Sequence, residues 1–131
     1  MTAAYLDLDR FKEVNDQRGH LEGDAVLRVV GATLREHVRE TDIVARLGGD
    51  EFAIIFPELD AGAARGVLTS LHDKLREGRR AHGWPVTFSI GVVTFSTPPE
   101  SLDELLQRTD DVMFTVKRDG RDAIGWAHTP P

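Results

Sequence analysis

Four groups of side chains in this chain have the types and spacing to do chemistry. The first is Asp7-Leu8-Asp9, which closes an apolar opening run. Alternate residues of a strand share a face, so Asp7 and Asp9 point to the same side. Hard cations such as Mg2+ take carboxylate and carbonyl oxygens, together with water and substrate phosphate. A strand-end Asp beside a backbone carbonyl can supply such ligands, although an acid there can equally meet solvent or cap the next helix. The second group is RLGGDEFAIIF, residues 46–56, where two glycines and the acids Asp50 and Glu51 interrupt an apolar pattern. Read as a hairpin, Gly48 and Gly49 supply positive φ angles and Asp50 tolerates the turn. If the first strand lies beside that hairpin, Asp7 and Asp50 converge at one edge of a sheet. The third is Lys117-Arg-Asp-Gly-Arg121. Lys117 and Arg121 are four apart, on one side of a helix if the helix persists, and can neutralise a phosphate tail. They also suit a helix C-terminus simply as cations. The fourth is Asn15, His20 and Asp24. An amide and a carboxylate together match a base edge such as guanine's, and they match turn chemistry between two helices just as well.

The elements that must position these groups follow from periodicity. Residues 3–8 read as a buried strand, and Phe11 to about Gln17 as a short helix ended near Gly19. From about Leu21 to Val38, apolar residues at 27, 30, 34 and 38 line one helical face. Residues 43–47 and 51–56 read as a hairpin. A helix over about 61–80 carries the stripe Ala64, Val67, Leu68, Leu71 and Leu75. A strand follows over 86–95. Ser101 to Glu104 is a capping-box pattern that opens a third long helix. In that helix Leu102, Leu105, Leu106, Met113 and Val116 are expected to face the core. Gly120 ends it, 122–127 reads as a last strand, and 128–131 as a short tail. The order β-α-α-β-β-α-β-α-β predicts a single α/β (α+β) domain over 1–131. Its expected core is ferredoxin-like, with a mixed, mainly antiparallel central sheet and flanking helices.

Composition narrows the function classes. The 131 residues carry a formal net charge of −6, which argues against an electrostatic grip on a nucleic acid polymer. A single nucleotide is still admissible, because a bound divalent cation inverts the local field. The chain has no cysteine, hence no disulfide and no thiolate metal site. That usage suits a cytoplasmic location. No apolar run reaches transmembrane length, and no signal peptide is visible. No P-loop or dinucleotide glycine motif follows a strand. The abrupt start on an apolar strand leads us to expect an upstream segment.

Taken in order, DLDRFKEVND, GHLEGDAVL, RETDIVARLGGDEFAIIF, FSIGV and KRDGRD resemble successive motifs of the GGDEF domain family, the bacterial diguanylate cyclases. The resemblance runs from about residue 5 to residue 125. It implies a fold related to adenylyl cyclase and the polymerase palm. It also implies a reaction in which two GTP molecules, one on each domain of a homodimer, condense to cyclic di-GMP and two pyrophosphates. Asp7 and Asp50 match the family's carboxylate ligands for two Mg2+ (or Mn2+) ions, with the Leu8 carbonyl as a further ligand. Asp50 also matches the residue proposed to help deprotonate the 3′-hydroxyl. Lys12 matches a lysine that contacts phosphate and stabilises the transition state, and Phe11 lies where the family's backbone meets the phosphates. Asn15 and Asp24 match the guanine readers, and His20 lies within the nucleotide-binding motif. Gly48 and Gly49 let a nucleotide approach the backbone. Lys117 and Arg121 match the pair that holds the β- and γ-phosphates. Arg39 and Asp42 match the inhibitory RxxD motif that binds product.

The chain departs from the family in lacking its usual opening helix and D-x-L-T-G-L-x-N-R turn. Phe114 stands where Tyr is common, and Asp122 where Asn is common. A sensory or regulatory domain is the expected partner. Two other readings compete with an active cyclase. One is a catalytically silent receptor that senses cyclic di-GMP through Arg39 and Asp42. The other is a dimerising partner for another domain.

Overall fold

A computed structural model of the chain describes residues 1–129. Its elements are β1 (Thr2–Asp9), α1 (Phe11–Arg18), α2 (His20–Glu36), β2 (Ile43–Gly48), β3 (Glu51–Phe56), α3 (Ala61–His82), β4 (Thr87–Thr94), α4 (Leu102–Arg118) and β5 (Ile124–His128). The strands form one sheet in the order β2-β3-β1-β4-β5. β1 is antiparallel to both neighbours, β2 is antiparallel to β3, and only β4 and β5 are parallel. The first four strands thus form the ferredoxin-like βαββαβ core, with β1 central, and α4–β5 extends it. None of the described helices is long and apolar enough to cross a membrane.

The alternation along β1 divides the molecule. Ala4, Leu6 and Leu8 enter the main core, with Val14, Val26, Leu34, Leu68 and Phe88. Burying a side chain of this size contributes roughly 1.5–3 kcal/mol. Ala3 belongs to a smaller cluster on the other face, with Val93, Phe95 and Leu105 of α4. Asp7 and Asp9 share the parity of Ala3, so the α4 face carries β1's acids.

Several local expectations change. Neither Gly48 nor Gly49 has a positive φ; the positive-φ glycines are Gly19, Gly83 and Gly120. The hairpin instead absorbs its bend in a register shift between Arg46 and Gly48. Leu102 does not face the core: it is 61% exposed. It occupies the first helical position after the Ser101 cap, and the buried stripe is Leu105, Thr109, Met113 and Val116. Thr109 fits that stripe because its hydroxyl bonds back to the carbonyls of Leu105 and Leu106. The capping box is half formed. Ser101 accepts from the Glu104 amide, but Glu104 Oε2 reaches the Glu100 amide rather than that of Ser101. His128, expected in the tail, is the last residue of β5, and Thr129 bonds the Thr94 carbonyl. Residues 130–131 of the expected tail lie outside the described residues.

Candidate active site at the end of the first strand

β1 pairs with β4 from Thr2 to Asp9 but with β3 only as far as Asp7, so its last two residues emerge beside the hairpin bend. Asp7 stands opposite Glu51 of β3 and Ser89 of β4, and is only 6% exposed. One of its oxygens, Oδ2, is ion-paired with Lys117 Nζ of α4. The other, Oδ1, is buried and has no hydrogen-bond partner. Burial pushes the Asp7 carboxyl up to about 6, with help from the charges of Asp50 and Glu51 and against the pull of Lys117. Asp9, two residues on, is also buried, but its carboxylate is satisfied. It accepts from Thr87 Oγ1 at 2.8 Å, from Ser89 Oγ at 2.8 and 2.9 Å, and from the Asp122 amide at 3.4 Å. Of two acids on one face, only Asp7 keeps an oxygen open. Spacing alone could not separate them.

The Leu8 amide donates to the Asp50 carbonyl at 3.0 Å, which brings the hairpin bend against the end of β1. The return bond, from the Asp50 amide to the Leu8 carbonyl, is not made. Leu8's side chain is committed to the core, so its carbonyl is the group it can offer. Arg46 braces the bend from outside. Its guanidinium donates to the Gly48 and Gly49 carbonyls at 3.1 and 2.9 Å. A Cβ on Gly49 would meet no atom within 4 Å, and one on Gly48 only Glu51 Oε2 at 4.0 Å. Neither backbone angle nor packing demands these two glycines.

Two further acids belong to the site: Glu51, which the sequence offers beside Asp50 without a role, and Asp110, which it does not single out. Glu51 accepts from Tyr5 Oη at 2.6 Å, and that bond adds to burial in pushing the Tyr5 hydroxyl up. Asp110 of α4 has its carboxyl raised by burial first, then by the charges of Glu51 and Asp111. The signals were present: Glu51 is Asp7's register partner once the hairpin pairs with β1, and Asp110 lies two helical turns before Lys117.

Lys117 and Arg121 do converge, but not on a continuous helix. α4 ends at Arg118, and Gly120, Arg121 and Asp122 all take positive φ. What draws both toward β1 is its pair of same-face acids: Lys117 is paired with Asp7, and Arg121 Nε lies 3.8 Å from Asp9 Oδ1. Beside it opens a cavity of about 590 Å3 bounded by Arg10, Lys12, Thr87, Arg121 and Asp122 among others. α1 begins at that cavity with Phe11 buried beneath it, and the Arg10 cap supplies no side-chain bond to the helix amides.

The α1–α2 pair carries the expected base readers. A Cβ at Gly23 would overlap the Asn15 amide oxygen, so glycine there lets Asn15 lie against α2 next to Asp24. Asp24 lines a second cavity, of about 560 Å3, with Leu27, Arg28, Arg35, Arg46 and Phe52. His20 is exposed at the start of α2. At the far end of α2, the Arg39 amide donates to Asp42 Oδ2 at 2.8 Å. The Asp42 side chain is 3% exposed, and its Oδ1 is buried without a partner. A cavity of about 290 Å3 lies there, lined by Arg35, Val38, Arg39, Asp42 and Val44.

Among the described residues no group of three or more His, Cys, Asp or Glu side chains is arranged to hold a metal ion. The donor set at β1 still fits Mg2+, which takes only one or two protein carboxylates and completes its shell with water and substrate phosphate. Asp7's open, buried oxygen is the observation that favours this.

Comparison with known proteins gives a consistent picture. A family model described as "Diguanylate cyclase, GGDEF domain" matches residues 1–123. Diguanylate cyclase DgcP of Pseudomonas aeruginosa is 36% identical over 128 aligned residues, which cover 92% of this chain but 18% of that protein. The chain therefore spans less than a fifth of that relative. The GGDEF domain of DgcB from Caulobacter crescentus, solved in complex with c-di-GMP, superposes with a TM-score of 0.83 at 31% identity, covering 95% of this chain and 76% of that one. Diguanylate cyclase SiaD of Pseudomonas aeruginosa, solved with its activator SiaC, gives 0.86 at 34% identity, covering 96% and 49%.

Proposed function

The chain belongs to the GGDEF domain family, and from that membership we propose that it is a diguanylate cyclase domain, joining two GTP molecules into cyclic di-GMP and releasing two pyrophosphates. The observation that carries the reading is the end of β1: Asp7 with one open buried oxygen, Asp50 brought alongside through the Leu8 amide, and Lys117 above. Asp7, Asp50 and the Leu8 carbonyl would hold two Mg2+ (or Mn2+) ions. Bound there, the ions lower the pKa of the attacking 3′-hydroxyl and offset the charge of the leaving pyrophosphate.

The chain's own residues do the rest by placement and charge, as transfer at phosphorus requires. Lys12, Arg121 and the uncapped first turn of α1 take the triphosphate tail in the cavity they share. Lys117, which pairs with Asp7 in this structure, would meet the β- and γ-phosphates. Gly48 and Gly49 leave the bend bare for the nucleotide, which accounts for glycines the fold does not need. Asn15 and Asp24 read guanine, with His20 at the mouth of their turn. Asp50 receives the hydroxyl proton. One chain supplies one GTP half-site, so the reaction needs a homodimer, with the hydroxyl of each nucleotide facing the α-phosphate of the other. A sensory or activator domain would govern that encounter.

The test is direct. Purified protein incubated with GTP and Mg2+ should yield cyclic di-GMP on chromatography, and Asp50→Ala should reduce it to background with an unchanged circular dichroism spectrum. Equal turnover in wild type and Asp50→Ala would sink the reading.

A second reading has its own observation. Asp42 Oδ1 is buried and unpartnered beside Arg39, at a cavity distant in sequence from β1. This supports a product site that restrains the enzyme, or that serves a silent receptor. Calorimetry with cyclic di-GMP separates the outcomes: Arg39→Ala should abolish binding, and equal affinity in both proteins removes these residues from the site.

A further inference from the structure

One buried polar cluster has no part in the mechanism above. His72 sits mid-way along α3, inside its apolar stripe, and is 6% exposed. Its Nε2 lies 3.0 Å from the Phe88 carbonyl and 3.2 Å from Asp122 Oδ1. Both neighbours are acceptors, so Nε2 carries the hydrogen and donates. One turn along α3, Arg76 Nε lies 3.5 Å from the other Asp122 oxygen, an ion pair that an amide at 122 would not make. Asp122 Oδ1 also receives the Phe88 amide at 3.4 Å. From β1, Asp9 Oδ2 holds the Asp122 amide at 3.4 Å.

The segment gripped in this way is a strained one. Gly120, Arg121 and Asp122 have φ of 126°, 66° and 48°. Glycine adopts such angles freely, but non-glycine residues are strained there and persist only when surrounding contacts over-determine them. The contacts that do so run from α4, whose Val116 carbonyl accepts the Arg121 amide at 2.9 Å, from α3 through the Asp122 side chain and from β1 through the Asp122 amide. The α3 and β1 grips both fall on Asp122, the residue immediately after Arg121. A buried histidine is most often a satisfied core residue, but here one of its partners, Asp122, lines the Lys12–Arg121 cavity, and the other, Phe88, follows Thr87, which lines it.

We propose that His72, assisted by Arg76, is a positioning residue for the nucleotide's triphosphate: through Asp122 it fixes the turn that presents Arg121 to the cavity shared with Lys12. The proposal rests on the reading of Arg121 as a phosphate holder.

The experiment is a double-mutant cycle read by calorimetry, with a non-cleavable GTP analogue and Mg2+, so that it does not depend on turnover. His72→Leu should weaken binding about fivefold, the loss expected from releasing one hydrogen-bonded constraint. His72→Gln, whose amide can donate from the same place, should restore the affinity to within about twofold. In an Arg121→Ala background, His72→Leu should have no further effect. An unchanged affinity in His72→Leu, or the same factor lost in both backgrounds, overturns the proposal. An Arg121→Ala variant that binds like wild type removes the parent reading of Arg121 and this one with it. If His72→Leu does not fold, Arg76→Leu, altering a part-exposed residue of α3, takes its place: about twofold weaker binding, absent in the Arg121→Ala background, is expected, and no change overturns the proposal.

Discussion

Asp7 is a carboxylate that the fold keeps uncomfortable. It is buried, its carboxyl is pushed up to about 6, and one oxygen is left open while Asp9 nearby is fully hydrogen-bonded. The sign of the consequence can be worked out. Between the ordinary carboxyl pKa of 3.8 and about 6, the folded chain holds a proton that the unfolded chain releases. In the absence of metal, Asp7's contribution therefore favours folding at the low end of that window and is lost as pH rises through about 6. Cation binding runs the opposite way, because only the ionised carboxylate is a ligand. We expect Mg2+ to raise the thermal midpoint clearly at pH 7.5 and little at pH 5. Asp7→Asn should lose the Mg2+ response, and its midpoint difference from wild type should change with pH between 3.8 and about 6. A midpoint in Asp7→Asn that still rises with Mg2+ at pH 7.5 would place the cation elsewhere.

At the scale of elements, glycines distinguish what the fold needs from what a ligand needs. Gly23 lies where α2 crosses α1, and a methyl there overlaps the Asn15 amide. Gly23→Ala should cost roughly 1–3 kcal/mol in denaturant unfolding, the usual range for overpacking, and should weaken GTP-analogue binding as Asn15 is displaced. Gly49 is the contrary case, with an ordinary φ and open space around its Cβ position. Gly49→Ala should leave stability within about 0.5 kcal/mol, as surface substitutions do, yet depress cyclic di-GMP formation severely. A stable and fully active Gly49→Ala would show that no nucleotide approaches that bend. The hairpin itself was legible from its glycines and alternating apolar residues. The means of its bend was not: Arg46 bonds the turn carbonyls only two and three residues on, but the register shift depends on how β2 docks on β3, which is itself held by β1.

For the molecule as a whole, the proposed condensation draws one GTP half-site from each of two chains, and that scheme makes a concentration-dependent prediction. Turnover per chain should rise with protein concentration and level off as dimer forms; a rate per chain independent of concentration across the monomer–dimer transition, followed by ultracentrifugation, would exclude the two-chain scheme. The sequence by itself determined the element order, the apolar stripes of α2 and α3, and a set of motif residues specific enough to indicate the family, because helix and strand periodicities and short motifs are carried by neighbours along the chain. Tertiary structure decided everything that depends on distant residues coming together. It left Asp7 with an open oxygen while Asp9 was satisfied by β4. It brought Lys117 and Arg121 together through same-face acids of β1 rather than along one helix. It gave parts to Glu51, Asp110 and His72 that depend on partners 16 to 59 positions away. Charge, burial and hydrogen-bond completion are properties of packed space, and no reading of spacing along a chain contains them.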